Sequence, residues 1–316
     1  MTKEDYPKNF EEFIDRFQTE DDCFNYISQI RWPDGFVCPR CQCSKAWKNN
    51  RNLLHCSNCG HQTSITAGTL FQDTRKPLRL WFHVMWWVVS QKTGASAKNL
   101  KDIFEFGSYK TTWAWLHKLR RVMIRPGREP LHGTIEVDET HIGGEEEGIR
   151  GRKIVKKTLV AVAVEEVEGK LGRVRFRCIS DASEENLIPF IQDNVELGCV
   201  VETDGWKGYA SVGEKGYRHN IQKISGSGKE AAELLPNVHL VISLVKRWLM
   251  GTHQGAVSSN HLQYYLDEYA FRFNRRLSTH RGKLFYRLMQ QAVKIEATPL
   301  VKIFAKKSTS KTQNIV

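Results

Sequence analysis

The chain has 316 residues, 41% of them hydrophobic and 26% charged, an ordinary globular composition with room for two domains or a little more. No window approaches eighteen uncharged apolar residues and the opening MTKEDYPKNFEEFIDRF is acidic and helix-like, so neither a membrane span nor a secretory signal is supported and a cytoplasmic location is expected. The net charge of +12 is uneven: residues 1–30 carry 3 basic and 8 acidic groups, 31–131 carry 17 and 5, 132–270 carry 16 and 21, and 271–316 carry 11 and 1. Two basic arms around an acidic middle suit an enzyme that grips a polyanion outside a cation-dependent centre.

In chain order, Phe10, Phe13, Ile14 and Phe17, then Phe24, Ile27 and Ile30, recur at spacings of three and four, which predicts two short amphipathic helices over residues 9–30. From Arg31 to about Phe71, short β-prone pieces alternate with turn residues around two cysteine pairs. Residues 78–123 return to helical spacing, and ASAKNLKDIFEFGSYKTTWAWLHKLRRVM divides into helix, FGSY turn and helix. That is the outline of a helix-turn-helix, with Lys110, Thr111, Thr112 and Lys118 offered to a DNA groove and Trp113, Leu116 and Leu119 packed behind them. Arg125-Pro126-Gly127-Arg128 marks a linker. Beyond it, GTIEVDETHIGG, KKTLVAVAVEEVEG and GRVRFRCIS read as three strands, SEENLIPFIQDNV as a helix, CVVETD as a fourth strand, and residues 237–250 and 258–274 as helices. This order predicts a mixed sheet in an α/β layer architecture. The stretch GEEEGIRGRKIVKK is expected to be a loop and the tail from Lys294 to be frayed.

Cys38 and Cys41, then Cys56 and Cys59, form two CxxC pairs with fourteen residues between them. Each pair can make a tight knuckle, and four thiolates can surround one zinc ion tetrahedrally, supplying the core that so short a β-rich segment cannot build from apolar burial. Cys43 and His61 stand outside the pairs as bystanders, and Cys23, Cys178 and Cys199 read as packed thiols.

Glu136 and Asp138 share one face of a strand whose other face carries Ile135 and Val137, and a carboxylate on so core-like a strand calls for a compensating cation. Asp204 ends the fourth strand, where ligands gather in α/β sheets, and is followed by Gly205-Trp206-Lys207-Gly208-Tyr209. Trp206 and Tyr209 are candidates for stacking on a base or for core packing.

Taken together, CPRC…CSNCGHQTSITAGTLF, EVDETHIGG, TDGWKGY and VHLVISLVKRWLMGTHQGAVSSNHLQYYLDEYAFRFNRR resemble the zinc-ribbon DDE transposases of bacterial insertion sequences, the ISXO-like group, over roughly residues 15–290. The resemblance implies an RNase H-like catalytic domain with Asp138 and Asp204 at the first and second acidic positions. At the third, where many such enzymes carry Glu seven residues before Lys or Arg, this chain has His239 before Lys246; Glu268 is the competing carboxylate, on a helix whose Arg272, Arg275 and Arg276 are expected to meet DNA. The expected organisation is N-terminal helices over 1–30, a zinc ribbon over 31–72, a helical DNA-binding region over 73–130, the catalytic domain over 131–290 and a basic tail over 291–316. The expected cofactors are structural Zn²⁺ and catalytic Mg²⁺ or Mn²⁺ held by Asp138, Asp204 and His239, with Lys246 as a phosphate contact. The expected partners are terminal inverted repeats, target DNA and further copies of the chain, in a dimer or larger assembly. The competing readings are an inactive or repurposed DNA-binding protein and a nuclease that hydrolyses without joining.

Overall fold

A computed structural model describes residues 4–143, 157–222, 231–255, 257–296 and 303–304. All but Lys157 of the expected charged loop, and most of the tail from Lys294, lie outside the described residues. Among the described residues no helix is long and apolar enough to cross a membrane. The chain divides into two compact units, Met1–Arg125 with Leu277–Ala305, and Pro126–Arg276.

In the first unit, α1 (Phe10–Arg16) and α2 (Glu20–Arg31) start where the sequence offers side-chain caps. Asn9 accepts from the Glu12 N–H, and Thr19 with Asp22 forms a reciprocal capping box. Three short antiparallel strands follow, β1 (Ala46–Lys48), β2 (Leu53–Cys56) and β3 (Gln62–Ser64), in the order β1-β2-β3. Next come α3 (Leu78–Ser90), α4 (Ala97–Ile103) and α5 (Tyr109–Arg121). The core is aromatic: Phe13, Phe17, Phe82 and Phe285 are buried edge to face, and Trp81 stacks on Trp115 at 3.5 Å. Phe285 belongs to a helix absent from the sequence reading, α10 (Arg281–Ala292), whose stripe of Leu284, Phe285, Leu288, Met289 and Ala292 packs on α3 and α2. The boundary expected at 290 therefore moves to 276, because this helix completes the N-terminal core.

The second unit is built on β4 (Thr134–Ile142), β5 (Thr158–Val167), β6 (Lys170–Ile179), β7 (Val200–Thr203) and β8 (Arg218–Ile221) in the order β6-β5-β4-β7-β8. The first three strands are antiparallel; β7 adds in parallel to β4 after α6 (Glu184–Asn194), and β8 adds in parallel to β7 after two short 3-10 turns. This third-second-first-fourth-fifth order is the RNase H-like mixed sheet that the resemblance implies; β8 escaped the sequence reading because Arg218–Ile221 is polar and mostly exposed. β5 is buried on both faces: Val160, Val162 and Val164 meet α8 (Pro236–His253) and α9 (Leu262–Phe273), while Ala161 and Ala163 leave space for α6. A short α7 (Ala231–Leu234) leads into α8.

Candidate metal centres and nucleic-acid contacts

The four cysteines converge. Their ligand atoms all lie within 4.8 Å of one another, with Cys38 and Cys59 sulfurs 3.7 Å apart and Cys41 and Cys56 sulfurs 3.5 Å apart. A tetrahedron of Zn–S bonds of about 2.3 Å has edges of about 3.8 Å, so the donor set fits zinc. Each knuckle closes through a backbone bond, Gln42 N–H to the Cys38 carbonyl and Gly60 N–H to the Cys56 carbonyl. The residue after each second cysteine turns left-handed, Gln42 at φ 60° and Gly60 at φ 69°. The Cys43 N–H lowers the Cys41 thiol while the neighbouring sulfurs raise those of Cys56 and Cys59, so these thiols share their protons as one set.

The second centre is assembled from distant segments. β4 and β7 run parallel with Glu136 opposite Glu202, and the same offset carried two residues further puts Asp138 level with Asp204 just beyond the paired ends. Adjacent strands are about 4.8 Å apart, so this offset makes Asp138, in the middle of β4, and Asp204, just past the end of β7, neighbours that line one cavity. Burial, Glu139 and Asp204 together push the Asp138 carboxyl up to about 7, against the pull of the Glu139 N–H and Lys246. A divalent cation between the two carboxylates would compensate this burial and like-charge crowding. The turn after β7 is specific to its glycines: Gly205 has φ +81°, and a Cβ there would lie 2.5 Å from Ile221, while one on Gly208 would lie 2.4 Å from the Ala182 carbonyl.

Glu136, only 3% exposed, finds its partner in the protein and not in a metal. Its oxygens accept from the Asn237 side chain (2.7 Å) and the Val238 N–H (2.8 Å), capping the start of α8. That cap fixes the helix so that the next residue, His239, brings Nε2 to 3.7 Å from Asp138 Oδ2, and Lys246 follows two turns along. Burial and Lys246 lower the His239 pKa, keeping the imidazole neutral and able to ligate. Glu268 is elsewhere: 1% exposed on α9, it accepts from Arg272 Nε (3.0 Å) and Nη2 (2.9 Å). A cavity of about 700 Å³ opens beside Asp138, Glu139, Asp181, Asp204, Trp206 and Lys207. A second, of about 440 Å³, shares His141 and Lys157 with it and reaches Lys246 and Met250.

Some expected DNA contacts are corrected. Thr112 is fully buried on α5 with its hydroxyl bonded to the Ser108 carbonyl, and Lys118 is half-buried, whereas Lys110 and Thr111 are exposed. Arg272 is committed to Glu268, Arg276 donates to the carbonyls of Leu171, Gly172 and Phe273, and Arg275 donates to the Phe271 carbonyl. Arg276 ties the end of α9 to β6, while Arg272 and Arg275 bond within the helix's own stretch of chain. Tyr209 is fully buried and cannot stack on a base; its hydroxyl donates to Glu139 Oε2 at 2.8 Å, a pairing that the sequence reading missed. Trp206 keeps one edge on the cavity while its Nε1 donates to the Ala182 carbonyl at 2.7 Å.

Comparison with known proteins agrees with this layout. Residues 130–274 match the ISXO2-like transposase domain, and residues 18–62 match the transposase zinc-ribbon domain. An uncharacterized protein in transposable element ISH50 of Halobacterium salinarum is 25% identical over 292 residues, covering 85% of this chain and 95% of that protein. Two solved structures overlap loosely. The Mos1 transposase paired-end complex with left transposon end has a TM-score of 0.31 at 12% identity, over 71% of this chain and 79% of its own. A pre-cleavage Mos1 transpososome has a TM-score of 0.29 at 13% identity, over 72% and 82%. Overlaps this slight carry no argument.

Proposed function

The chain belongs to the ISXO2-like transposases, DDE-type DNA transposases with an N-terminal zinc ribbon, and on that premise we propose that Asp138, Asp204 and His239 hold the catalytic divalent metal ions with which it cleaves and joins DNA at its element's ends. The observation that carries this reading is the level placement of Asp138 on β4 and Asp204 just beyond the end of β7, with His239 at 3.7 Å from Asp138. The chemistry that Mg²⁺ or Mn²⁺ supplies in such a site is activation of a water or a DNA 3′-hydroxyl on one side of a phosphodiester and stabilisation of the leaving oxygen on the other.

The chain's own groups do the rest. Asp138, whose carboxyl is pushed up to about 7, would give up its proton on ligating a divalent ion. His239 enters as a neutral ligand, softer than the carboxylate found at this place in many relatives by fold, and suits Mn²⁺ as well as Mg²⁺. Lys246, exposed two turns along the same helix, contacts a phosphate of the reacting strand. Terminal inverted repeats are held by the basic N-terminal unit, through Lys110 and Thr111 with Tyr109 and Arg121 on the exposed side of α5, and through Arg51 and the exposed Trp47 on the ribbon. Two ends must be held at once, so the working form is a dimer or larger assembly, acting in the cytoplasm.

The test is a labelled duplex carrying the element's own terminal repeat, incubated with the protein, a supercoiled plasmid, and Mg²⁺ or Mn²⁺. Cleavage at the end followed by joining to the plasmid is expected. Binding without cleavage would make the chain a DNA-binding protein, and hydrolysis without joining would make it a nuclease.

A further inference from the structure

We propose that the hydrogen bond from Tyr209 to Glu139 is a positioning strut that sets the separation of Asp138 and Asp204; the proposal rests on the reading of those two residues as the metal-binding pair. The paired register of β4 and β7 ends at Glu136 opposite Glu202, two residues short of the aspartates. Beyond that point the strand ladder no longer holds the two chain segments together, and two carboxylates facing each other repel. Glu139 is the neighbour of Asp138 on the opposite face of β4, and Tyr209 lies five residues beyond Asp204 in the turn that Asp204 opens. Their 2.8 Å bond therefore ties the Asp138 segment to the Asp204 turn at the level where the sheet stops doing so.

Both ends of the strut are anchored. Tyr209 is fully buried in the cluster with Val137, Leu187 and Val201, and its turn is held against the start of α6 by Trp206 Nε1 on the Ala182 carbonyl and by the close approach of Gly208. Burial beside Glu139, Asp138 and Asp204 keeps the phenol protonated well above its ordinary range, so it remains a donor throughout the working pH range and is not a nucleophile toward DNA. Glu139 and Tyr209 act through the aspartates, as the partners behind a metal's ligands do.

The experiment measures Mg²⁺ affinity by calorimetry on the full chain, and end-duplex cleavage as a function of Mg²⁺, for Tyr209→Phe, Glu139→Ala, Glu139→Gln and the Tyr209→Phe/Glu139→Ala double variant, beside Asp138→Ala. Tyr209→Phe and Glu139→Ala are each expected to weaken Mg²⁺ binding about 10- to 100-fold, with cleavage largely regained at saturating metal. The double variant should be no worse than either single one. Glu139→Gln keeps an acceptor for the phenol and should bind Mg²⁺ within about threefold of the wild type. Unchanged Mg²⁺ affinity in both Tyr209→Phe and Glu139→Ala would overturn the strut. So would a Glu139→Gln defect as severe as that of Asp138→Ala, since Glu139 would then be a ligand itself. Full activity in Asp138→Ala is a different failure, that of the site assignment on which the strut depends.

Discussion

The zinc ribbon and the proposed catalytic centre gather groups for a metal in opposite ways. The ribbon's four sulfurs are already at tetrahedral spacing, delivered by two knuckles close in sequence. Asp138, Asp204 and His239 come from segments up to about a hundred residues apart and do not reach that mutual spacing; among the described residues only the cysteines do. A structural site is closed and can be built locally, whereas a site that must admit DNA and exchange ligands is left open and held by partners behind it.

Zinc removal should break the closed site with the largest effect. Structural zinc supplies about 10–16 kcal/mol in ribbon-sized peptides. Cys56→Ser or a strong chelator is therefore expected to unfold residues 38–64 while the five-stranded sheet keeps its own melting transition. Hydrogen exchange with zinc stoichiometry would show this, and retained protection in β2 of the metal-free protein would contradict it. Glu268→Ala separates structural carboxylate from catalytic. It leaves Arg272 without its buried partner and should cost roughly 3–5 kcal/mol of stability while the folded fraction still cleaves in Mg²⁺. Denaturant titration beside a cleavage assay checks both halves.

His239→Ala is expected to lower Mg²⁺-dependent cleavage about 10- to 100-fold with DNA binding unchanged, and His239→Asp to shift the preference from Mn²⁺ toward Mg²⁺. Equal rates for wild type and His239→Ala in both metals would remove His239 from the site. The smallest effect is one of pH. Asp138 holds its proton up to about 7 against an ordinary 3.8, so the folded state binds a proton that the unfolded chain has lost. Metal-free stability should therefore fall as pH rises from about 4 to 7, and Asp138→Asn should recover roughly 1–3 kcal/mol above pH 7 while abolishing cleavage. Melting temperatures across that range, with and without Mg²⁺, would reveal it.

What the sequence disclosed follows the same division between local and distant. The cysteine spacing, the sequence of strands and helices along the chain, Asp138 on the face it shares with Glu136, and Asp204 at the end of its strand are local patterns, and each could be read directly. Thr112 was assigned to a groove because a threonine beside basic residues looks exposed. The buried stripe of Thr112, Trp115, Leu116 and Leu119 at helical spacing puts it inside. Arg272 looked free because its partner Glu268 was itself a candidate ligand; their i,i+4 spacing was the available signal. Glu136 as a helix cap and the Glu139–Tyr209 bond join residues 102 and 70 apart, and no periodicity announces such pairs. The helix α10 was missed altogether, and no local pattern announces that its apolar stripe belongs to the N-terminal core.

The central claim is that Asp138 and Asp204 together hold the catalytic metal. The measurement that tests it most directly is Mn²⁺ titration into the protein bound to its end duplex, followed by electron paramagnetic resonance, for wild type, Asp138→Asn and Asp204→Asn. The account predicts bound Mn²⁺ in the wild type and its loss in each variant at undiminished DNA binding, with cleavage lost in parallel. Mn²⁺ bound as tightly by both variants as by the wild type would contradict it.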